Sequence, residues 1–191
     1  MNTVKKRPID SYTYEDYLRF SDDDRVEIID GIVYDMSPAP LRKHQNISVE
    51  LTGIIWEYLK GKSCEIYPAP FDVVFAEKGK KDSEIKNVVQ PDLSIICDKN
   101  KLNDKGCFGA PDWIIEILSP STSSKDLNEK YFLYEKFGVK EYWIVEPSEQ
   151  IVLVYSLKNG KYENTFRYTK EDSAVTIFED LSINLSEIFN D

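Results

Sequence analysis

The segment from 112 to 146 constrains the fold more than any other part of the chain. It begins with a short apolar run, "DWIIEILS", continues with a helical stretch that ends at Gly138, and closes with a second apolar run, "VKEYWIVEP". Two strands joined through a helix lie parallel in one sheet, with a right-handed crossover. The segment therefore predicts a strand–helix–strand unit and a mixed α/β fold.

Other segments predict hairpins and a further helix outside this unit. Asp30-Gly31 and Asn159-Gly160 each separate two β-forming runs, and both dipeptides tolerate the positive φ values of a tight hairpin turn. The stretch "HQNISVELTGIIWEYLKG" has apolar residues at helical spacing and predicts a helix. "VVQPDLSIICD" predicts one strand, and "KNKLNDKGCFGAP" predicts a loop.

The composition limits the class of protein. The 191 residues are 41% hydrophobic, which suits a globular chain, and we expect one domain over 1–191 with a loose N-terminal segment over 1–12. The formal net charge of −10 disfavours a nucleic-acid partner, because backbone binding relies on Lys and Arg. An alternative interpretation is that part of the acid is concentrated to hold a divalent cation.

The sequence also bears on location. No apolar run approaches the roughly 20 residues of a membrane helix, and no apolar segment follows the basic N-terminal residues, so we expect no membrane partner. The chain has three cysteines, an odd number without CxxC spacing, and one histidine. This pattern argues against a structural zinc site and for a reducing cytoplasm.

Glu116 lies in the middle of the first apolar run of the strand–helix–strand unit. A carboxylate buried in hydrocarbon costs on the order of several kcal/mol unless it is paired or holds a metal. Of the two Pro-Asp pairs in the chain, Asp112 lies on the same strand, about 13 Å away at about 3.3 Å per residue. Asp92 belongs to another strand, and neighbouring strands lie about 5 Å apart. Asp92 is therefore the predicted partner of Glu116, and Asp112 a turn or strand-entry residue.

Two such carboxylates form a hard oxygen site suited to Mg²⁺ or Mn²⁺. A bound ion of this kind delivers a water nucleophile and stabilises charge that builds up on a phosphodiester. A lysine nearby would orient the attacking water or neutralise the transition state. The pair therefore predicts metal-dependent hydrolysis of phosphodiester bonds.

This arrangement resembles the PD-(D/E)XK nuclease superfamily, in which "PD" is followed by an acid and a lysine on the next strand. More closely, "VEIIDG", "VQPDLSII" and the long segment from Gly109 to Pro147 resemble the Uma-two family of endonucleases. The resemblance runs from Thr13 to the C-terminus. It implies a restriction-endonuclease-like fold, with a central mixed β-sheet flanked by helices and additional β-hairpins. It also implies an endonuclease that cuts DNA, double-stranded rather than single-stranded, with Mg²⁺ or Mn²⁺.

The resemblance extends to the lysine, with one departure. The superfamily lysine position holds Leu118, so the lysine is expected on the following helix, where Lys125 and Lys130 are candidates. The helix dipole disfavours a cation in the first turn, which counts against Lys125. Lys130 borders an apolar stripe that includes Leu127 and Tyr134, and it matches the "D…K…Y" pattern of the family. Lys130 is therefore the predicted catalytic lysine.

Two further residues match the family. Glu27 corresponds to the glutamate before "IDG" and is predicted as a further acid and metal ligand. His44 corresponds to the histidine of the family and is predicted to contact a phosphate or to shuttle a proton. The alternatives are an outward-facing Glu27 on a half-exposed hairpin, a lone surface His44, and a solvated Lys130 paired with Asp126.

A second function stays open at this point. Leu118 at the lysine position and the acidic composition both favour a catalytically inactive nuclease-fold protein that binds DNA or another protein. Trp113, Tyr142 and Trp143 lie within apolar strands, which predicts core packing rather than base stacking. A homodimer is expected only by analogy with nucleases that cut both strands.

Overall fold

β-strands make up most of the regular structure in the part of the chain that the computed structural model describes, residues 11–21, 24–36, 41–77, 79–119 and 123–190. The strands are β1 (Val26–Ile29), β2 (Ile32–Asp35), β3 (Glu65–Pro68), β4 (Val73–Val74), β5 (Val88–Val89), β6 (Leu93–Ile96), β7 (Leu102–Asn103), β8 (Gly106–Phe108), β9 (Trp113–Ile117), β10 (Glu141–Glu146), β11 (Ile151–Lys158), β12 (Lys161–Thr169), β13 (Ser173–Val175) and β14 (Ser182–Asn184). The helices are α1 (Tyr14–Tyr17), α2 (Arg42–Leu59), α3 (Ser123–Lys125), α4 (Tyr131–Phe137) and α5 (Leu185–Ile188). A π-helical turn, Asp126–Lys130, joins α3 to α4.

The central sheet has six strands in the order β12-β11-β10-β9-β6-β3. β9 and β10 run parallel, with α3, the π-helical turn and α4 between them, and the other neighbouring pairs are antiparallel. The parallel pairing follows from the helical connection, because such a crossover returns the chain to the same end of the sheet. The predicted strand–helix–strand unit and the mixed central sheet are confirmed.

The two faces of the central sheet pack against different elements, because successive residues of a strand point to opposite faces. Trp113 and Trp143 pack with residues of α2 and α5. Ile114 and Tyr142 pack with α4 and with the second sheet, whose order is β2-β1-β5-β4-β8-β7. Trp113, Tyr142 and Trp143 are fully buried, so their predicted core role is confirmed. Glu116 continues the face that carries Ile114, which directs it towards α4 and the second sheet.

The prediction of a single strand at "VVQPDLSIICD" is wrong. β5 pairs with β1 and β4 in the second sheet, whereas β6 pairs with β3 and β9 in the central sheet. The chain passes from one sheet to the other at Gln90-Pro91, since proline has no N–H for a strand ladder and restricts the residue before it. This crossing places Asp92, which directly precedes β6, beside an end of the second sheet.

The prediction of a loop at "KNKLNDKGCFGAP" is also wrong, because this segment contains the antiparallel pair β7 and β8. Both strands of the pair are short, and β8 begins at Gly106, whose φ is 138°. A Cβ atom at this position would lie 2.3 Å from the Asp72 carbonyl oxygen, so the close approach of the two backbones requires glycine. Strands this short lack the β-branched run by which a sequence indicates a strand.

Both predicted hairpins are present. Asp30 and Gly31 have φ values of 46° and 78° and connect β1 to β2. Asn159 and Gly160 have φ values of 51° and 77° and connect β11 to β12. In each case two consecutive positive φ values match the right-handed twist of the paired strands.

Cys64 and Cys97 form a disulfide bond between the start of β3 and the end of β6. The cysteine pattern therefore gives no support to the predicted reducing cytoplasm, which stays a prediction. Within the described ranges no helix combines the length and the apolar character that crossing a membrane would take. The single domain and the loose segment 1–12 also stay predictions, and residues 1–10 of that segment lie outside the described part.

Candidate active site

Glu116 lies on β9 with its side chain buried between the central sheet and the helical segment that follows. Lys130 Nζ lies 2.7 Å from Glu116 Oε1, and the Tyr134 hydroxyl donates a hydrogen bond to the same oxygen at 2.7 Å. Lys130 and Tyr134 are four residues apart, so they project from one side of the helical segment. The buried carboxylate is therefore paired, and its partners both come from the crossover of the strand–helix–strand unit.

Glu27 reaches the same place from β1 of the second sheet, where it is buried. Its Oε1 lies 2.9 Å from Lys130 Nζ and accepts a hydrogen bond from the Gln90 backbone N–H at 3.0 Å. Its Oε2 forms an ion pair with Lys125. The structure therefore brings together Glu27, Glu116 and Lys130, and Glu27 does not face outward as the alternative interpretation had it.

Both candidate lysines reach the site because of the π-helical turn. In an α-helix, residues five apart lie about 140° apart around the axis, so Lys125 and Lys130 would diverge. The i→i+5 spacing of a π-turn stacks such residues, and here both lysines contact Glu27. The same turn rotates Leu127 outward to 42% exposure, so its predicted place in the apolar stripe is wrong.

Leu118 occupies the position of the superfamily lysine and packs in the core beside α4. The ammonium group that this position would supply comes from Lys130 instead, at the distance of a direct ion pair with Glu116. Lys130 also lies 3.6 Å from Asp126, so the predicted alternative pairing exists as well, but within a buried cluster rather than in solvent.

Asp92 lies at the edge of this cluster. The antiparallel register of β6 and β9 places Leu93 opposite Ile115. One step further along this register, Asp92 falls opposite Glu116, and residues opposite each other in an antiparallel pair share a face. The geometric argument that selected Asp92 as the neighbour of Glu116 therefore agrees with the observed register.

Two groups fix the Asp92 carboxylate. The Ile117 backbone N–H donates a hydrogen bond to Asp92 Oδ2 at 2.7 Å, and His44 Nε2 lies 3.2 Å from the same oxygen. Burial disfavours the charged form of His44, but the hydrogen bond and the charge of Asp92 outweigh it and raise the pKa of the imidazole. His44 Nδ1 is buried and has no hydrogen-bond partner within the described ranges. His44 therefore stands beside the predicted ligand pair, at the start of α2.

Asp112 is separate from this cluster. Its Oδ2 accepts a hydrogen bond from the Cys97 backbone N–H at 2.8 Å, and its Oδ1 lies 2.6 Å from Lys140 Nζ. Both contacts lie at the end of β9 opposite to Glu116, where Asp112 secures the end of β6. This agrees with its prediction as a strand-entry residue.

The electrostatics of the cluster are dominated by carboxylates. Burial raises the pKa of Glu116; Lys130 opposes this rise, and three neighbouring carboxylates add to it. These carboxylates belong to Asp126, Asp92 and Glu27. Burial and these carboxylates together outweigh Lys130 in their effect on the pKa of Glu116, and a divalent cation would relieve this condition.

Glu27 has the opposite balance. Burial would raise the pKa of its carboxyl, but the charges of Lys130 and Lys125 outweigh burial and lower it. The pKa of Lys130 is raised despite its own burial, because Glu116 and Glu27 lie against it. Glu27 is therefore an ionised partner of two lysines, and its predicted role as a metal ligand stays a prediction.

The carboxylates of the site differ in how well they suit the predicted Mg²⁺ or Mn²⁺. Among the described residues no group of three or more His, Cys, Asp or Glu side chains is placed to hold a metal ion. A pair remains: Lys130 and Tyr134 contact only Oε1 of Glu116, and the partners of Asp92 named above contact only Oδ2. Mg²⁺ is commonly bound by one or two carboxylates and several waters, so the Asp92–Glu116 pair fits such an ion.

The sequence did not predict Tyr134, Asp72 or Tyr17 as members of the site. Tyr134 was assigned to the apolar stripe, although a tyrosine at a buried position needs a partner for its hydroxyl, and that was the available signal. The Gln90 side chain donates to Asp72 at 2.7 Å and to Tyr17 at 3.2 Å, so it secures the strand end that holds Glu27. No local sequence pattern links Gln90 to Asp72 and Tyr17, because the three residues come from separate segments of the chain.

The fold and the position of these carboxylates define a nuclease-fold protein. A solved structure described as "a putative nuclease belonging to DUF820" from Anabaena variabilis has this fold, with a TM-score of 0.74 and 23% sequence identity. The match covers 95% of this chain and 98% of that one. The predicted fold class is therefore confirmed.

The family follows from sequence. The profile of the Uma2 family, described as "Putative restriction endonuclease", matches residues 13–186. This chain belongs to the Uma2 family, as the motifs of the sequence predicted. A relative from Synechocystis sp., "Uncharacterized protein slr1290", is 27% identical over 159 residues, which are 80% of this chain and 77% of the relative.

Proposed function

We propose that this protein is a divalent-metal-dependent endonuclease that hydrolyses phosphodiester bonds of double-stranded DNA. The observation that carries the proposal is the register of β6 and β9, which directs Asp92, the residue directly before β6, to the position opposite Glu116, with Lys130 paired to Glu116. Membership of a family described as restriction endonucleases supports nuclease activity. The metal rests on the chemistry of the carboxylate pair, and the DNA substrate rests on the family resemblance.

Asp92 and Glu116 are the residues that would hold Mg²⁺ or Mn²⁺. When bound, such an ion supplies a water nucleophile and stabilises charge on the phosphate. Lys130 and Tyr134 both contact Oε1 of Glu116 and so fix the orientation of the whole carboxylate, including its second oxygen. His44 fixes Asp92 in the same way, and its Nε2 carries the proton of this contact because the carboxylate oxygen 3.2 Å away can only accept.

The protein has a net charge of −10, but the residues at the edge of the site beside Asp92 are basic. The first turn of α2 carries Arg42 and Lys43 directly before His44 and contains no acidic residue. The positive end of the helix dipole adds to these charges. The rim beside Asp92 is therefore locally basic, which suits a DNA backbone.

One observation favours the alternative function, a nuclease-fold module that binds DNA or protein without cutting. Lys130 is enclosed by three carboxylates, with its side chain 3% exposed, so it does not itself reach a substrate. A lysine whose role is only to neutralise the buried carboxylates would also be retained in a protein that does not cut DNA. The cleavage assay below separates the two functions.

The test is cleavage of supercoiled plasmid and linear duplex DNA with Mg²⁺ or Mn²⁺, by the wild type, Asp92→Asn and Asp112→Asn. Asparagine keeps an oxygen that accepts the Ile117 N–H, so Asp92→Asn changes charge more than fold. We expect cleavage by the wild type and by Asp112→Asn, and none by Asp92→Asn. Cleavage by all three proteins, or by none, contradicts the proposal, and DNA binding without cleavage supports the alternative.

Three expectations remain proposals. The preference for double-stranded over single-stranded DNA rests on the family resemblance, the homodimer rests on analogy with nucleases that cut both strands, and the cytoplasmic location rests on the cysteine pattern of the sequence. The duplex and single-stranded forms of one oligonucleotide, compared in the same cleavage assay, test the first of them.

A further inference from the structure

The two lysines that contact Glu27 differ in what surrounds them. Lys130 is buried between Glu116 at 2.7 Å, Glu27 at 2.9 Å and Asp126 at 3.6 Å, and 3% of its side chain is exposed. Lys125 contacts Glu27 through Oε2, and 13% of its side chain is exposed. Lys125 therefore lies on the solvent side of Glu27, and Lys130 lies on the core side.

Lys130 is not free to exchange partners. Its withdrawal would leave the buried Glu116 without its cation and Glu27 with one cation fewer, and uncompensated buried charges are strongly destabilising. Lys125 differs, because Oε1 of Glu27 keeps both Lys130 and the Gln90 N–H when Oε2 loses its partner. Only Lys125 can leave the cluster without stranding a buried carboxylate.

The surroundings of Lys125 suit a ligand with a phosphate group. Its Nζ lies 5.9 Å from the centroid of the Tyr34 ring, which belongs to the β1–β2 hairpin and is half-buried. The π-helical turn keeps Lys125 on the same side as Lys130, so its partly exposed side chain lies between solvent and the Glu27 carboxylate that Lys130 shares. A lysine ammonium is a compact point charge that binds phosphate oxygens from a range of directions.

We infer that Lys125 is the substrate-contacting lysine of this site: its ammonium leaves Glu27 Oε2 and binds a phosphate of the DNA backbone. Lys130 stays in the cluster and positions Glu116 and Glu27. This assignment rests on the proposed function for the identity of the substrate. It divides between two residues the role that the family pattern gives to one lysine.

The test is equilibrium binding of a fluorescent DNA duplex, followed by anisotropy in EDTA so that no cleavage occurs. Each phosphate contact contributes about 0.9 to the slope of log K against log salt. We expect Lys125→Met to reduce this slope by about one, measured between about 50 and 200 mM salt, and Lys125→Arg to keep it. Thermal melts verify that each variant is folded.

Lys99→Met is the matched control. Lys99 pairs with Glu65 as Lys125 pairs with Glu27, so both substitutions remove one positive charge and one ion pair. Lys99 follows β6 at the end opposite to Asp92, away from the site. We expect Lys99→Met to keep the wild-type slope.

The outcomes are distinct. An unchanged slope in Lys125→Met, or an equal reduction in Lys99→Met, overturns the assignment of Lys125, while DNA binding by the wild type leaves the proposed function intact. A slope that falls in Lys125→Arg as far as in Lys125→Met also overturns it, since arginine retains the charge. A wild type that binds no duplex overturns the proposed function and the assignment together.

Discussion

Tyr134 is the residue that distinguishes the buried carboxylate of this site from an ordinary ion pair. Its hydroxyl and Lys130 contact the same oxygen of Glu116, so that oxygen is saturated and the carboxylate cannot rotate freely. Tyr142 lies beside it, with ring centroids 4.9 Å apart, and donates to the backbone carbonyl of Asp126 at 3.0 Å. The two tyrosines therefore offer the same buried hydroxyl with a charged and with a neutral acceptor.

We predict that Tyr134→Phe lowers the free energy of unfolding about twice as much as Tyr142→Phe. Hydrogen bonds to charged groups contribute about 1.5–3 kcal/mol, and neutral ones about 0.5–1.5 kcal/mol. The pKa of Glu116 is raised to about 8, so urea denaturation of the two variants above this pH, where Glu116 is ionised, measures the difference, with equal side-chain volume lost in each. Equal losses would show that Glu116 gains no charge-assisted bond from Tyr134.

Glu141 lies on the opposite face of the central sheet from Glu116, beside Trp143. Trp143 Nε1 and the Ile177 N–H donate to its Oε1 at 2.8 and 3.1 Å. Burial nevertheless raises the pKa of Glu141 to about 8. Because Glu141 lies on the other face of the central sheet from the proposed metal ligands, its titration should change the free energy of unfolding and not the chemistry of the site.

We predict that Glu141 makes the protein less stable as the pH rises. The carboxyl of an unfolded chain loses its proton at about 4.3, whereas the folded protein keeps it up to about 8, so the folded state binds more protons between these values. Stability from this group is therefore present at low pH and is lost as the pH rises through that window. Glu141→Gln should gain stability relative to the wild type between pH 5 and 8, measured by urea denaturation. A difference that does not change with pH contradicts the prediction.

At the scale of elements, the hairpin turns could be predicted from local sequence, whereas the pairing of strands that are distant in sequence could not. Asp30-Gly31 and Asn159-Gly160 specify their hairpins by themselves, and the helix between β9 and β10 specifies a parallel pair. Pro91 within "VVQPDLSIICD" was a local signal for the division into β5 and β6, but which sheet each strand joins depends on strands far away in sequence. Asp92 was still assigned to Glu116, because that inference needed only the spacing of strands.

The π-helical turn is the element that sequence reasoning could not supply. A regular α-helix separates Lys125 from Lys130 by about 140° around its axis, so the sequence pattern does not place both lysines at one site. The turn contains one residue more than a regular α-helical turn, and Asn128, exposed at its surface, is part of it.

We predict that deletion of Asn128 converts the turn to a regular α-helical turn and keeps Lys125 and Lys130 on one side, because residues four apart lie about 40° apart around the axis. The ion pair between Lys125 and Glu27 and the salt dependence of DNA binding should therefore stay as in the wild type. Asn128→Ala, which keeps the length of the turn, should behave in the same way. A deletion variant whose salt dependence falls as far as in Lys125→Met contradicts the role assigned to the turn.

At the scale of the whole molecule, the site forms where the two sheets meet. The second sheet contributes Glu27, the central sheet contributes Glu116 and Asp92, and the crossover helix contributes both lysines. None of these elements holds the cluster alone, so the geometry of the buried cluster depends on the packing of both sheets. The excess of carboxylates that results is tolerated in a folded protein when a cation compensates it.

The most direct test of this account is the binding of Mn²⁺ to the metal-free protein by isothermal titration calorimetry. The account predicts binding by the wild type and by Asp112→Asn, and loss of that binding in Asp92→Asn, because only Asp92 lies opposite Glu116. Binding that persists in Asp92→Asn, or a wild type that binds no Mn²⁺, would contradict the assignment of Asp92 and Glu116 as the metal-binding pair.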